Sequence, residues 1–123
     1  MPAKVVDASV LAAIAFGEPR AEEAMALLQD VSLHEPILLA YELTSVAHKK
    51  ALLYPDRVDA ISRALELALA LEIQWVDVDH RVVLHLALEK GLTTYDATYL
   101  YVAQSLGAPL VTFDVQLLTT SGE

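Results

Sequence analysis

The period of the apolar positions changes several times along the chain, and each change marks an element. Val5-Val6 behind Lys4 is a short β-branched run, and a helical pattern starts at once over Ala8 to Phe16. A strand feeding a helix opens an α/β unit. Gly17-Glu18-Pro19 breaks the pattern, and Pro19 suits the first turn of a second helix to about Gln29, with Glu22 and Glu23 where the helix dipole favours acids. An extended piece near Val31 to His34 precedes Pro36, which opens a helix over about Ile37 to Leu53. Pro55-Asp56 starts the next, whose Val58, Ile61, Leu65 and Leu69 form an apolar stripe. Ile73 to Val78 alternates and reads as a strand. Asp79 caps a helix that ends at Gly91, Asp96 begins another to about Leu106 that Gly107 closes, and Pro109 to Phe113 is a nearly continuous apolar strand. With a last short helix, the order β-α-α-β-α-α-β-α-α-β-α predicts a three-layer α/β/α domain on a short central parallel sheet, one unit over residues 1–123.

Composition narrows the function classes. A chain of 123 residues, 55% hydrophobic, can bury about two thirds of its unfolded surface, enough for a core without staples. Without cysteine there is no disulfide framework, thiolate zinc site or cysteine nucleophile, and a reducing compartment is expected. The run after Asp7 has the length of a signal-peptide core, but an aspartate precedes it and Gly17-Glu18-Pro19 follows in place of a cleavage site. Every other apolar run is interrupted well before the roughly 18 residues of a membrane span. A cytoplasmic protein with no membrane attachment is expected. Its net charge of -9, from 17 acids against 8 bases, opposes broad electrostatic attachment to nucleic acid.

Position sorts the acids. Glu18, Glu22, Glu23, Asp30, Asp56, Asp59, Glu66, Glu72 and Glu89 sit among polar residues and read as solvated faces or caps. Asp7 and Asp114 follow the first and last strands, and in open parallel sheets ligands bind beyond the carboxyl ends of the strands. Asp96 stands where a loop becomes a helix, and taken alone it is an N-cap. Glu42 lies in an otherwise apolar helix, so it must be paired, protonated or bound to metal. Carboxylates crowded together raise one another's pKa, and a divalent cation is the simplest neutraliser where Lys and Arg are absent. His80 and His85 are five apart and share no helix face. All-oxygen ligation points to Mg²⁺ or Mn²⁺, the equipment of phosphoryl chemistry.

Val5-Val6-Asp7-Ala8-Ser9-Val10-Leu11, Glu42 in the third helix, Tyr95-Asp96-Ala97 opening a helix that ends in Ala103-Gln104-Ser105-Leu106-Gly107, and Leu110-Val111-Thr112-Phe113-Asp114 together resemble the PIN-domain family. In length and order they look like the VapC-type ribonuclease toxins of toxin-antitoxin modules. The resemblance covers essentially the whole chain. It implies that Asp7, Glu42, Asp96 and Asp114 form an acidic metal cluster for Mg²⁺- or Mn²⁺-dependent endonucleolytic cleavage of RNA, with a cognate antitoxin as protein partner. Asp7, Asp96 and Asp114 are expected to hold the metal, directly or through water, and Glu42 to be a ligand or the base for the attacking water. Ser9 and Thr112 match small hydroxyl positions beside the cluster; they either orient its carboxylates or serve only local capping and strand formation. Some members carry a further acid after the last motif, whereas Val115-Gln116-Leu117 offers none, which disfavours a second tightly held metal.

Lys49, Lys50, Arg57 and Arg63, with Lys4 and Arg81, are either a local basic rim or solvated helix faces. Tyr95, Tyr99 and Tyr101 either stack on a base or pack. Leu65, Leu67, Leu69 and Leu71 exceed what one buried stripe needs and predict a homodimer. A response-regulator receiver is excluded because Asp7 stands alone and no lysine follows Asp114; a haloacid-dehalogenase phosphatase is excluded because Ser9 occupies its second aspartate's place. The alternative from another class is a PIN-like module that binds RNA or protein without cutting.

Overall fold

The computed structural model describes residues 1–120. Its elements run β1 (Ala3–Val6), α1 (Ala8–Ala15), α2 (Ala21–Leu27), β2 (Ser32–Glu35), α3 (Leu38–Leu53), a 3₁₀ turn (Pro55–Arg57), α4 (Val58–Leu69), β3 (Ile73–Trp75), α5 (His80–Lys90), α6 (Thr94–Leu106), β4 (Leu110–Val111) and α7 (Val115–Thr120). The four strands form one parallel sheet in the order β3-β2-β1-β4. Helices α1, α3 and α4 pack on one another, with α2 against α1, while α5 pairs with α6, which lies against β1, β2 and β4. This is the expected three-layer α/β/α arrangement.

Most element ends follow their local chemistry. Gly91 and Gly107 take the left-handed conformation just past α5 and α6, at φ 66° and 61°, and Asp79 caps α5 by accepting from the Arg81 and Val82 amides. Several ends differ from the sequence reading, among them those of the last strand, which spans only Leu110–Val111 of the expected Pro109 to Phe113. Helix α2 begins at Ala21 rather than at Pro19, which lies in a turn. Strand β3 stops at Trp75, although the alternation continues to Val78, because only Leu33, His34 and Glu35 of β2 are there to pair with it. Helix α6 begins at Thr94 with Thr93 as its cap, so Asp96 is its third residue and not the N-cap.

The main core joins Val5 and Val6 to Val10, Leu11, Leu39, Leu43, Tyr99 and Val102 across the two sides of the sheet; a second cluster around Val83, Ala97, Leu100 and Leu117 lies under α5, α6 and α7. Strand β1 is central and changes partner along its length. Ala3 and Lys4 pair with Ser32 and Leu33 of β2, whereas Val5 and Val6 pair with Leu110 and Val111 of β4. The chain order therefore reverses across β1, and its carboxyl end is the switch point at which a parallel sheet opens a crevice. Among the described residues no helix is long and apolar enough to cross a membrane.

Candidate functional site

Asp7 follows directly on β1 and caps α1. Its backbone is extended, at φ -89° and ψ 177°, and its Oδ1 accepts from the Ser9 amide at 3.1 Å and the Ser9 hydroxyl at 2.6 Å. Its Oδ2 accepts from the Thr112 hydroxyl at 2.5 Å across the β1–β4 seam. Burial pushes the Asp7 carboxyl above its ordinary range, opposed first by the hydroxyls of Ser9 and Thr112 and then by the Val10 and Ser9 amides. The side chain is 6% exposed. Ser9 and Thr112 thus bond directly to a carboxylate of the predicted cluster, and each also braces the loop after β4: Ser9 Oγ accepts from Phe113 N at 3.1 Å across the seam, and Thr112 Oγ1 from Asp114 N at 2.9 Å within the loop.

Asp114 follows β4 and is exposed. Its Oδ1 accepts from Leu117 N at 3.0 Å, so it opens α7 as Asp7 opens α1. Asp96 sits in the first turn of α6, where Thr93 Oγ1 accepts from its amide at 3.1 Å. The capping duty falls on Thr93, which leaves the Asp96 carboxylate to face Asp7 and Asp114. Its pKa is raised, by burial first and then by the charges of Asp114 and Asp7. Glu42 is half-buried on α3 and paired: it accepts a 2.6 Å hydrogen bond from the hydroxyl of Tyr99, a fully buried residue of α6. Burial raises its pKa, the Tyr99 bond opposes this, and the charges of Asp7 and Asp96 raise it further.

The four predicted acids therefore feel one another's charge at the carboxyl end of the sheet. Among the described residues no Lys or Arg pairs with any of them: Lys50 is held by Glu18, Arg63 by Glu66 and Arg20 by Glu23. The Lys4 ammonium is bonded to the Leu27 carbonyl. Lys50 and Arg63 are thus committed to pairs within the chain. The donor set is all oxygen and negatively charged, which fits a hard divalent cation. Among the described residues, however, no three such groups converge closely enough to form a ready coordination sphere. The cluster is electrostatic rather than a closed ligand set. Of the tyrosines, Tyr99 packs and holds Glu42, Tyr101 is partly buried, and Tyr95 is exposed.

One buried acid escaped the sequence reading. Glu35 is 0% exposed; its Oε2 accepts from Val6 N at 2.8 Å and its Oε1 has no hydrogen-bond partner among the described residues. Burial, with the Asp7 charge adding to it, pushes its pKa up to about 9 against an opposing bond from the Val6 amide. The available signal was an acid one residue before Pro36, at the end of a strand whose alternation points it inward with Leu33. A cleft of about 630 Å³ is lined by Pro36, Ile37, Tyr41, Trp75, His80 and Tyr95 among others, so it includes the chain neighbours of Glu42 and Asp96 but none of the four acids.

Comparison with known proteins agrees with this architecture. The family model described as PIN domain matches residues 4–122. The chain is 37% identical over 118 residues to Ribonuclease VapC3 of Pyrobaculum aerophilum, covering 92% of this chain and 90% of the relative. It is 40% identical over 119 residues to Exonuclease VapC9 of the same organism, covering 93% and 82%. The crystal structure of PAE2754 from Pyrobaculum aerophilum superposes with a TM-score of 0.79 at 33% identity, covering 98% of this chain and 87% of that one.

Proposed function

This chain belongs to the PIN-domain family, and on that premise we propose that it is a ribonuclease that hydrolyses RNA phosphodiester bonds with a divalent cation, Mg²⁺ or Mn²⁺, as the toxin of a toxin-antitoxin module. One observation carries the reading. Asp7, Glu42, Asp96 and Asp114 come from four separate elements, the charges of Asp7, Asp96 and Asp114 raise the pKa of Glu42 or Asp96, and among the described residues no cationic side chain pairs with any of the four. A module that only bound RNA would gain nothing from keeping such repulsion beside a polyanion.

Asp7, Asp96 and Asp114 would hold the cation, directly or through water. When bound, it polarises a water and neutralises charge developing on the phosphoryl oxygens. Asp7 is held ready by Ser9 and Thr112, so its orientation costs little when substrate arrives. In hydrolysis the attacking water gives up a proton, its oxygen bonds phosphorus, and the bond from phosphorus to the leaving ribose oxygen breaks. Glu42 would take that proton. Its raised pKa makes it a stronger base than an ordinary carboxylate, and the Tyr99 hydroxyl fixes one of its oxygens. Glu42 as a cation ligand is the other role compatible with its place.

The same reading extends to partners. Of the four leucines that predicted a second copy, Leu67 and Leu71 are exposed and suit one, while Leu65 and Leu69 pack against the core; a cognate antitoxin is the second protein partner. Cleavage within the strand is expected. A circular RNA and a linear RNA of mixed sequence, incubated with Mn²⁺, Mg²⁺ or excess chelator beside the Asp96→Asn protein, test all of this together. Metal-dependent cutting of both RNAs, lost in the variant, is the expected result. Cutting of the linear RNA alone means action from an end, and RNA retention without cutting under any condition gives the non-catalytic module. A monomer at micromolar concentration in sedimentation removes the homodimer.

A further inference from the structure

Glu35 is fully buried at the carboxyl end of β2, and the cleavage chemistry above makes no use of it. Its backbone faces outward: Glu35 pairs with Trp75 of β3, and its carbonyl accepts from Val76 N at 2.8 Å. Its side chain turns the other way, onto the Val6 amide at 2.8 Å. The ladder between β1 and β2 has already ended, with Lys4 opposite Leu33. In a parallel ladder alternate residues direct their amides to the same neighbour. Val5 N reaches Pro109 O at 3.0 Å and Asp7 N reaches Val111 O at 3.2 Å, both toward β4, so the Val6 amide between them faces β2. The Glu35 carboxyl stands in for the β2 carbonyl that is missing there. Val6 is fully buried, so its amide would otherwise be an unpaired donor in the core.

We propose that Glu35 is a positioning residue for Asp7: by taking the Val6 amide where β1 and β2 part, it fixes the last residue of β1 and thereby the place at which the Asp7 carboxylate enters the crevice. The inference rests on the cleavage reading for the role of Asp7. Because burial keeps Glu35 protonated at neutral pH, it anchors the strand without adding a negative charge beneath Asp7. Thr112 and Ser9 hold the Asp7 carboxylate from one side; Glu35 holds the backbone beneath it from the other.

The test compares Glu35→Met, which keeps length and removes the acceptor, with Glu35→Gln, which keeps an acceptor oxygen and cannot ionise. Three quantities are measured on the whole chain: Mn²⁺ affinity by electron paramagnetic resonance, kcat and KM on a short RNA, and amide exchange at Val6 and Asp7 by NMR. Glu35→Met is expected to weaken Mn²⁺ binding and lower kcat about tenfold each with KM unchanged, and to speed Val6 exchange by a similar factor, the loss of roughly one buried hydrogen bond. Glu35→Gln is expected to match the parent in Mn²⁺ affinity and in kcat and KM, with Val6 exchange no faster than the parent's. A Glu35→Met protein with parental Mn²⁺ affinity, kcat and Val6 exchange overturns the proposal, and so does a Glu35→Gln protein as impaired as Glu35→Met. If Glu35→Met does not fold, Glu35→Gln alone decides: parental Mn²⁺ affinity with exchange no faster than the parent's supports the anchor, and weaker affinity or faster exchange overturns it. A parent chain that cuts no RNA removes the cleavage reading instead, and the anchor is then judged on Mn²⁺ affinity and exchange.

Discussion

Strand β1 has two neighbours, and the carboxyl ends of its two seams are built in opposite ways. On the β4 side the ladder runs to the end of the strand, and Asp7 receives Ser9 N, Ser9 Oγ and Thr112 Oγ1 on its two oxygens. On the β2 side the ladder stops at Lys4, and Glu35 fills the gap with a single bond to the Val6 amide and an oxygen that meets no partner among the described residues. Both acids are buried, at 6% and 0% exposure. The donors separate them. The Ser9 and Thr112 donors oppose the burial that raises the Asp7 pKa, whereas a single amide leaves Glu35 a neutral acid to about pH 9. A buried carboxyl is made into a charge or a strut by the donors its neighbours supply.

The strongest way to break this contrast is to remove the charge on the well-donated side. Asp7→Asn keeps the shape and an acceptor for Ser9, and Thr112 Oγ1 can accept from the new amide. Cleavage is expected to fall by at least about 100-fold, because the cation loses one of the carboxylates that would hold it, and losing even an outer partner of such a ligand costs roughly 10–100-fold. The melting temperature is expected not to fall, because a buried carboxyl with a raised pKa costs stability when it ionises. An active Asp7→Asn protein would take Asp7 out of the machinery.

Next in size is the opposite acid. Folded Glu35 holds its proton to about pH 9, while the unfolded chain releases it near the ordinary value of 4.5. Between those values the folded state binds more protons, so this group's contribution to stability falls as pH rises through the window and levels off above it. At pH 7 the loss amounts to about 3 kcal/mol. Glu35→Gln has no proton to lose, so denaturant unfolding at pH 5, 7 and 9 is expected to show a stability advantage that widens with pH. A constant difference between the two proteins would mean that Glu35 ionises in the fold like a surface acid.

A smaller effect sharpens the well-donated side. Thr112→Val is nearly isosteric and removes both the bond to Asp7 Oδ2 and the acceptor for the Asp114 amide. A loss of about 1–2 kcal/mol in transition-state stabilisation, roughly tenfold in kcat/KM, is expected, since a hydrogen bond to a charged group is worth that much. Ser9→Ala is expected to cost less, because the Ser9 amide still reaches Asp7. Equal effects would show that the hydroxyls act on the loop rather than on the carboxylate.

Much of this site was legible because its residues sit at places that local pattern marks. Asp7 and Asp114 end apolar runs, and Glu42 interrupts one; the glycines that close α5 and α6 follow the last periodic residue. The start of α6 was read two residues late because Asp96 has an N-cap's chemistry, but Thr93 is the residue whose backbone is extended, at φ -64° and ψ 157°. The partner of Glu42 was out of reach, since Tyr99 lies 57 positions away and only tertiary packing joins them. Glu35 was passed over for the same reason. Its partner Val6 is 29 positions distant, and nothing local shows that β1 changes neighbours at that point.

Tyr99→Phe carries the smallest expected effect and tests whether the contrast of donors extends to a helix-borne acid. Among the described residues Glu42 has a single side-chain donor, the Tyr99 hydroxyl, which opposes the rise in its pKa caused by burial and the charges of Asp7 and Asp96. Removing that hydroxyl takes no volume from the core, so a change of about 1 kcal/mol is expected, severalfold in kcat. The direction with pH is the sharper readout. Without its donor, Glu42 is raised further, so the acid limb of the pH–rate profile is expected to move to higher pH while the rate on the plateau stays within severalfold of the parent. If Glu42 acts as the base, that limb moves as its proton becomes harder to remove. If it served only as a distant charge, the plateau would change and the limb would stay where it is.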